Sequence, residues 1–205
     1  MKTRLVVALM VGLGLVACAD WRTASSAQEA IDDLAPRPAD ATQQRAWRRL
    51  QLASAYFEQG QDDIAMQEAR AALQIDPHQA QAFNLLGLIH QRRHAPDLAE
   101  QSFQQALRLA SRSPSDLGDI QHNHGWFLCE QAQFDRGQDE LMRALQQPGY
   151  SARAKTWMVM GDCQLKAGQV AQAQTSWRQA LSIDPSNTWL QQRLNPLSRA
   201  PKSVE

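Results

Sequence analysis

Residues 121–134 read QHNHGWFLCEQAQF, and this stretch decides the fold. Gly125 stands directly before three large apolar residues, Trp-Phe-Leu, and Cys129 follows them. A small residue beside large apolar ones is typical of a helix that packs closely against a second helix. The stretch therefore predicts the first helix of a helix-turn-helix unit.

The same pattern recurs on both sides of Gly125. The matching small residues are Ala53, Gly87, Gly125 and Gly161, at separations of 34, 38 and 36 residues. The longest separation includes the Ser/Pro-rich residues 111–116, where an insertion into a turn is tolerated. Four copies in register indicate a repeat array, because each unit alone cannot bury its apolar face.

The period resembles that of the tetratricopeptide repeat, which is 34 residues long. We predict an all-α fold, a tetratricopeptide-repeat solenoid of about four helix-turn-helix repeats with a C-terminal capping helix. The predicted domain spans residues 42–195, and a tail follows at 196–205. The repeats are expected near residues 46–79, 80–113, 118–151 and 154–187.

The N-terminus has the pattern of a targeting segment. Lys2 and Arg4 precede the apolar run Leu5–Val16, which is shorter than the roughly 20 residues of a membrane-spanning helix. Leu15-Val16-Ala17-Cys18 resembles the bacterial lipobox, in which the cysteine is acylated and becomes the mature N-terminus. We predict a lipoprotein signal peptide over 1–17, lipidation of Cys18 and a tether over 18–41. The alternative is an ordinary secretory signal with an incidental cysteine.

Lipidation would fix the location of the protein. Several acyl chains anchor a protein far more firmly than one, since each buried methylene contributes about 0.8 kcal/mol. Ala19 follows Cys18, whereas Asp at this place in enterobacterial lipoproteins signals retention in the inner membrane. The resemblance therefore favours the periplasmic face of the outer membrane.

Composition and motifs favour a binding scaffold over an enzyme. The 21 Lys and Arg residues balance 21 Asp and Glu residues, so no net positive field attracts nucleic acid. The five histidines lack the convergent partners that zinc needs, and no nucleophile motif, phosphate loop or carboxylate pair is recognisable. We expect no catalytic residue, metal, cofactor or small-molecule substrate.

Two cysteines remain once Cys18 is lipidated. Cys129 and Cys163 occupy nearly equivalent places in the first helices of adjacent repeats, and such helices pack side by side. In an oxidising periplasm this placement favours a disulfide. The alternative is a pair of buried free thiols that pack as small apolar groups.

Tetratricopeptide arrays curve, and their first helices line the inner wall, where a peptide or a helix can bind. Exposed apolar residues on that wall would form a partner surface. Core packing is the alternative for each single residue. The residues expected to face the groove are Leu50, Phe57, Asn84, Leu88, His122, Trp126, Met158 and Leu165.

The segment HNHGWFLC at 122–129 resembles the N-N-Y-G-x-F-L-C segment of the type IV pilus biogenesis lipoproteins, the PilF/PilW family. His122 and His124 replace the family's Asn and Tyr, and Gly137 replaces its alanine. The resemblance implies a pilotin, a lipoprotein that binds subunits of the outer-membrane secretin and supports their localisation and multimerisation. The alternative is a tetratricopeptide lipoprotein adaptor for peptidoglycan or other envelope-assembly machinery.

Overall fold

The structure is a computed structural model, and it describes residues 38–111 and 116–194. The predicted signal peptide, Cys18 and the tail at 196–205 lie outside the described residues. The described segments are helical and contain no strand. The helices are α1 (Pro38–Glu58), α2 (Asp62–Ile75), α3 (Ala80–Arg92), α4 (Pro96–Ala110), α5 (Leu117–Glu130), α6 (Phe134–Gln146), α7 (Arg153–Lys166), α8 (Val170–Ile183) and α9 (Thr188–Leu194).

Consecutive helices form four pairs, and α9 packs on the last of them. In the first pair, α1 and α2 share a core built from small residues such as Ala53 and Ala69. The same kind of pair is repeated by α3 and α4, by α5 and α6, and by α7 and α8. The predicted all-α tetratricopeptide solenoid is confirmed.

The small residues of the repeat are packing requirements. A Cβ built at Gly87 would lie 2.7 Å from the Phe103 ring, and one built at Gly125 would lie 2.8 Å from Cγ of Leu141. At Gly161 the added Cβ would collide with the Trp177 indole. In the second, third and fourth pairs, therefore, a glycine in the first helix makes room for a large side chain of the second.

Two residues after each first helix ends, the turn contains a residue with a left-handed backbone. The φ angles are +75° at Gly60, +56° at His94, +57° at Ala132 and +79° at Gly168. These four residues occupy the same place in the four repeats. Repeats two and three thus reach the same turn geometry with residues that carry a Cβ, which the left-handed region disfavours.

The repeats lie in one compact unit that begins at residue 42. Helix α1 begins at Pro38, so residues 38–41 of the predicted tether are helical. Over the described part of the chain, no helix combines the length and apolar character needed to cross a membrane.

Candidate partner-binding site

Three of the eight residues expected to face a groove are buried, which corrects that prediction for them. Leu50 is 4% exposed and packs in the core of the first two repeats. Asn84 is 6% exposed, and its Oδ1 accepts a hydrogen bond from Nδ2 of Asn123 at 3.1 Å. His122 is 4% exposed. Their places in the repeat point them at the neighbouring first helix rather than at solvent.

His122 belongs to a buried hydrogen-bond network between repeats three and four. Its Nδ1 lies 2.9 Å from Oγ1 of Thr156, which also lies 2.7 Å from the hydroxyl of Tyr150. The Thr156 hydroxyl donates to the carbonyl of Ala152 at 3.2 Å, so it can accept from both neighbours. Burial, reinforced by the charge of Lys155, lowers the pKa of His122 to about 4. The imidazole is therefore neutral near pH 7.

A second buried histidine joins repeats two and three. His124 is 3% exposed, and its Nε2 lies 2.9 Å from Oε2 of Glu100. Arg136 donates to the other oxygen of Glu100 at 2.9 Å. Burial alone would raise the pKa of Glu100, but the hydrogen bonds from His124 and Arg136 outweigh it and lower that pKa. Both histidines of the opening stretch thus have structural partners.

Three more of the predicted groove residues are half-buried and already in contact with other side chains. The guanidinium of Arg92 lies over the Phe57 ring, 3.6 Å from its centroid. Leu88 packs against the aromatic cluster of the second and third repeats. Met158 packs in the core of the fourth repeat, where its Sδ accepts from Nδ2 of Asn187 at 3.5 Å.

Only Trp126 and Leu165 among the eight are exposed, at 40% and 36%. The structure brings these two together at the border of one pocket of about 300 Å³, which we call the Trp126 pocket. Its wall is built from α5, α7 and α9, so it joins the third repeat, the fourth repeat and the cap. Its lining residues are Trp126, Cys129, Glu130, Val159, Asp162, Cys163, Leu165, Lys166, Trp189 and Arg193.

A disulfide forms part of this lining. The Sγ atoms of Cys129 and Cys163 are 2.02 Å apart and their Cα atoms are 5.4 Å apart. The bridge links α5 to α7, as the equivalent places of the two cysteines in their repeats predict. A Cβ added at Gly137 would collide with Sγ of Cys129. Glycine in place of the family's alanine therefore gives the sulfur its space.

The charged residues of the pocket are held in defined positions. Nζ of Lys166 and Oε1 of Glu130 form an ion pair at 2.5 Å across α7 and α5. Asp162 accepts a hydrogen bond from the Trp177 indole at 3.2 Å. Burial raises the pKa of Asp162, and Arg193 and the Trp177 bond oppose that rise without cancelling it.

Arg193 completes the pocket from the capping helix. Its guanidinium lies 4.2 Å from the ring centroid of Trp177 and 4.8 Å from that of Trp189. The two indoles meet edge to face, with centroids 6.1 Å apart. Sequence reasoning placed a cap here but did not select Trp189 or Arg193. The sequence feature that could have indicated them is their spacing. An aromatic residue four places before an arginine lies on the same face of a helix.

No metal centre is visible among the described residues. Across residues 38–111 and 116–194, no three His, Cys, Asp or Glu side chains converge to hold an ion. His122 uses its Nδ1 for a hydrogen bond with Thr156, and His124 uses its Nε2 for one with Glu100. The arrangement offers an apolar pocket with charged edges, which suits recognition of another molecule better than bond-breaking chemistry.

Comparison with known proteins agrees with this architecture. Residues 49–79 and 154–187 match the tetratricopeptide repeat family. The chain contains tetratricopeptide repeats. This repeat is typically a non-catalytic scaffold, and its extended surface contacts other proteins.

The repeats resemble those of two pilus proteins in particular. The chain is 30% identical over 135 residues to the type IV pilus assembly protein PilF of Pseudomonas aeruginosa. The solved structure of that protein superposes with a TM-score of 0.69 at 25% identity, over 75% of this chain and 68% of PilF. PilW, a type IV pilus biogenesis factor, superposes with a TM-score of 0.67 at 27% identity, over 76% of this chain and 70% of PilW.

The resemblance is partial in length. The sequence match covers 66% of this chain but 52% of PilF, so the chain spans about half the length of that relative. The family resemblance inferred from the HNHGWFLC segment is confirmed by these matches to PilF and PilW.

Proposed function

We propose that this protein is a non-catalytic outer-membrane lipoprotein, a pilotin for type IV pilus biogenesis. In this proposal Cys18 is acylated, and the lipid anchors the repeats at the periplasmic face of the outer membrane. The repeats bind secretin subunits and support their localisation and multimerisation. Similarity to PilF at 30% identity over 135 residues is the observation that carries the proposal.

Two features of the chain support a binding role. Trp126 and Leu165 expose apolar surface beside one another, as protein-binding sites do. The disulfide between Cys129 and Cys163 suits a protein that works in an oxidising compartment outside the cytoplasm. Both features fit a scaffold that meets its partner in the periplasm.

Deletion of the gene tests the function. We expect the deletion strain to lose most heat-resistant secretin multimers and to lose twitching motility, and the wild-type gene to restore both. Normal multimers and normal motility in the deletion strain would overturn the pilotin proposal. Cell-wall defects with normal multimers would favour the adaptor for peptidoglycan machinery instead.

Replacement of Cys18 tests the anchor separately. In a Cys18→Ser variant we expect the protein to leave the outer-membrane fraction. Mass spectrometry of the wild-type mature protein should show an acylated N-terminal cysteine and the absence of residues 1–17. A mature protein with an unmodified Cys18 would contradict the proposed location.

A further inference from the structure

The guanidinium of Arg193 is held in the Trp126 pocket with part of its bonding capacity unused. It makes cation–π contacts with the rings of Trp177 and Trp189. Its Nε is buried and has no hydrogen-bond partner among the described residues. Within that part of the chain, no carboxylate lies at ion-pair distance from Arg193. A buried donor without an acceptor is costly, so an added acceptor at this side chain would be stabilising.

The other charges of the pocket are already matched. Lys166 is paired with Glu130, and Asp162 accepts from the Trp177 indole. Asp162 and Arg193 act on each other electrostatically but form no ion pair, so Arg193 keeps an unmet requirement for a hydrogen-bond acceptor. A carboxylate is the group that best meets it, since a guanidinium binds a carboxylate through two parallel hydrogen bonds.

The rest of the pocket requires an apolar group. Trp126, Leu165 and Trp189 line it and are 40%, 36% and 42% exposed, and Val159 and the disulfide also line it. Tryptophan is among the residues that most often carry the binding energy of protein interfaces. The pocket volume of about 300 Å³ is enough for one bulky side chain.

We propose that the Trp126 pocket binds a peptide segment in which a bulky apolar side chain is directly followed by a carboxylate. The apolar side chain fills the space between Trp126, Leu165 and Trp189. The carboxylate accepts hydrogen bonds from Arg193. This inference rests on the proposed function in one respect, namely that a secretin subunit supplies the segment.

Titration of the full-length mature protein with short peptides tests the proposed chemistry. The probe is an acetylated and amidated Gly-Ser-Phe-Asp-Gly peptide, and the matched controls carry Asn in place of Asp or Ala in place of Phe. The readout is the set of tryptophan indole N–H signals in the nuclear magnetic resonance spectrum. We expect the signals of Trp126 and Trp189 to shift and that of exposed Trp47 to stay in place.

Both control peptides should bind at least about fivefold more weakly, which is the loss expected when one charge-assisted hydrogen bond or one buried ring is removed. Equal binding of the Asp and Asn peptides would overturn the role of the carboxylate. Shifts at Trp47 as large as those at Trp126 would overturn the location, and so would no shift at any tryptophan.

Paired variants test Arg193 itself. Arg193→Gln should weaken binding of the Phe-Asp peptide at least about fivefold and leave binding of the Phe-Asn peptide unchanged. Arg178→Gln is the control, since Arg178 lies exposed on α8 and its hydrogen bond is to Gln174 on the same helix. A thermal midpoint equal to that of the wild type shows that each variant is folded. Equal affinity in the Arg193 and Arg178 variants would contradict the proposal.

The chain's own C-terminal residues are the competing occupant, because residues 195–205 follow directly after α9. Truncation after Leu194 separates the two occupants. If the indole signals of Trp126 and Trp189 are the same in the truncated and complete proteins without peptide, the pocket is open to a partner. If truncation moves both signals and raises peptide affinity, the tail is the occupant and the proposal is overturned.

A cellular comparison separates this inference from the proposed function. Secretin multimers are measured in the deletion strain and in strains that carry Arg193→Gln or Arg178→Gln. Both proposals are supported if secretin multimers are lost in the deletion strain, reduced in the Arg193→Gln strain and unchanged in the Arg178→Gln strain. Loss on deletion with full multimers in the Arg193→Gln strain overturns the pocket inference and leaves the pilotin proposal standing. Full multimers on deletion overturn the pilotin proposal, whereas the peptide titration still decides the pocket chemistry.

Discussion

The joint between repeats one and two differs in kind from the joint between repeats three and four. At the first joint, Arg92 and Arg93 form ion pairs with Asp62 and Asp63 on the surface. At the second, a disulfide and a buried network around His122 link α5 to α7. Both joints also bury apolar side chains, so they share the apolar packing of the repeat. They differ in the ion pairs, hydrogen bonds and disulfide that are added to it.

This difference indicates which end of the array is stiffened. Exposed ion pairs contribute little and are screened by salt, whereas a covalent bridge holds α5 and α7 together under all oxidising conditions. The Trp126 pocket lies at the covalently linked joint. We infer that the links around Cys129 and Cys163 keep the walls of the pocket at a fixed separation.

Removal of the disulfide should have the largest effect. The bridge closes a loop with a sequence separation of 34 residues, and loss of such a crosslink lowers the free energy of unfolding by about 3–4 kcal/mol. We expect the Cys129→Ser, Cys163→Ser double variant to show this loss in urea unfolding. Reductant should lower the free energy of unfolding of the wild type to that of the variant and leave that of the variant unchanged. A variant as stable as the oxidised wild type would contradict the stiffened joint.

Gly137→Ala should come next, with a loss of about 2 kcal/mol from overpacking. The added Cβ would collide with Sγ of Cys129 and lie 2.9 Å from the carbonyl oxygen of Gly125. Thermal unfolding of the variant measures the loss. In a background with Cys129→Ala and Cys163→Ala the same substitution should be less harmful, because the sulfur is gone. An equal loss in both backgrounds would show that the backbone contact alone sets the requirement for glycine.

His122 should make the second joint sensitive to acid. Its pKa is about 4 when folded against an ordinary value of 6.5, so the unfolded chain binds a proton that the folded chain does not. The free energy of unfolding therefore falls as the pH drops from about 6.5 to about 4, by at most about 1.4 kcal/mol per pH unit.

The His122→Gln variant should lose this component of the pH dependence. The exposed His78→Gln variant is the control and should keep the wild-type slope. Urea midpoints at pH 7, 6 and 5 provide the measurement. Parallel slopes for wild type and the His122 variant would contradict a neutral buried imidazole.

The surface joint should show the smallest effect. Arg92→Gln removes the ion pair with Asp62 and the contact over the Phe57 ring, and we expect a loss of about 1 kcal/mol or less. The difference from wild type should shrink in 1 M sodium chloride, since salt screens the ion pair. A loss as large as that of the cysteine variant would mean that the two joints are equally strong.

The repeat architecture was predictable because it depends on residues that lie close together in the sequence. Gly87, Gly125 and Gly161 recur at nearly constant spacing, and each accommodates a large side chain one helix later. Two of the four left-handed turns were predictable from the sequence, because they contain Gly60 and Gly168. The other two contain His94 and Ala132, which do not indicate such a turn. Tertiary packing holds those two residues in a conformation that their side chains disfavour.

The groove was harder to predict because a helix turns 100° with each residue. An offset of one position moves a side chain from the open face to the interface, as at Leu50 and His122. Trp126 and Leu165 were found because their place in the repeat leaves them uncovered. Arg193 was missed because its partners, Trp177 and Trp189, are brought to it by the packing of the cap rather than by the repeat pattern.

A photo-crosslinker placed at either of two exposed tryptophans tests in cells whether the partner binds at the joint between repeats three and four. Trp126 and Trp47 are 40% and 50% exposed, and they lie on the first helices of repeats three and one. We expect p-benzoylphenylalanine at residue 126 to crosslink the protein to secretin subunits and the same group at residue 47 to give little crosslinking. Crosslinks to the secretin at residue 47 alone, or at neither residue, would contradict the assignment of the partner site to the Trp126 pocket.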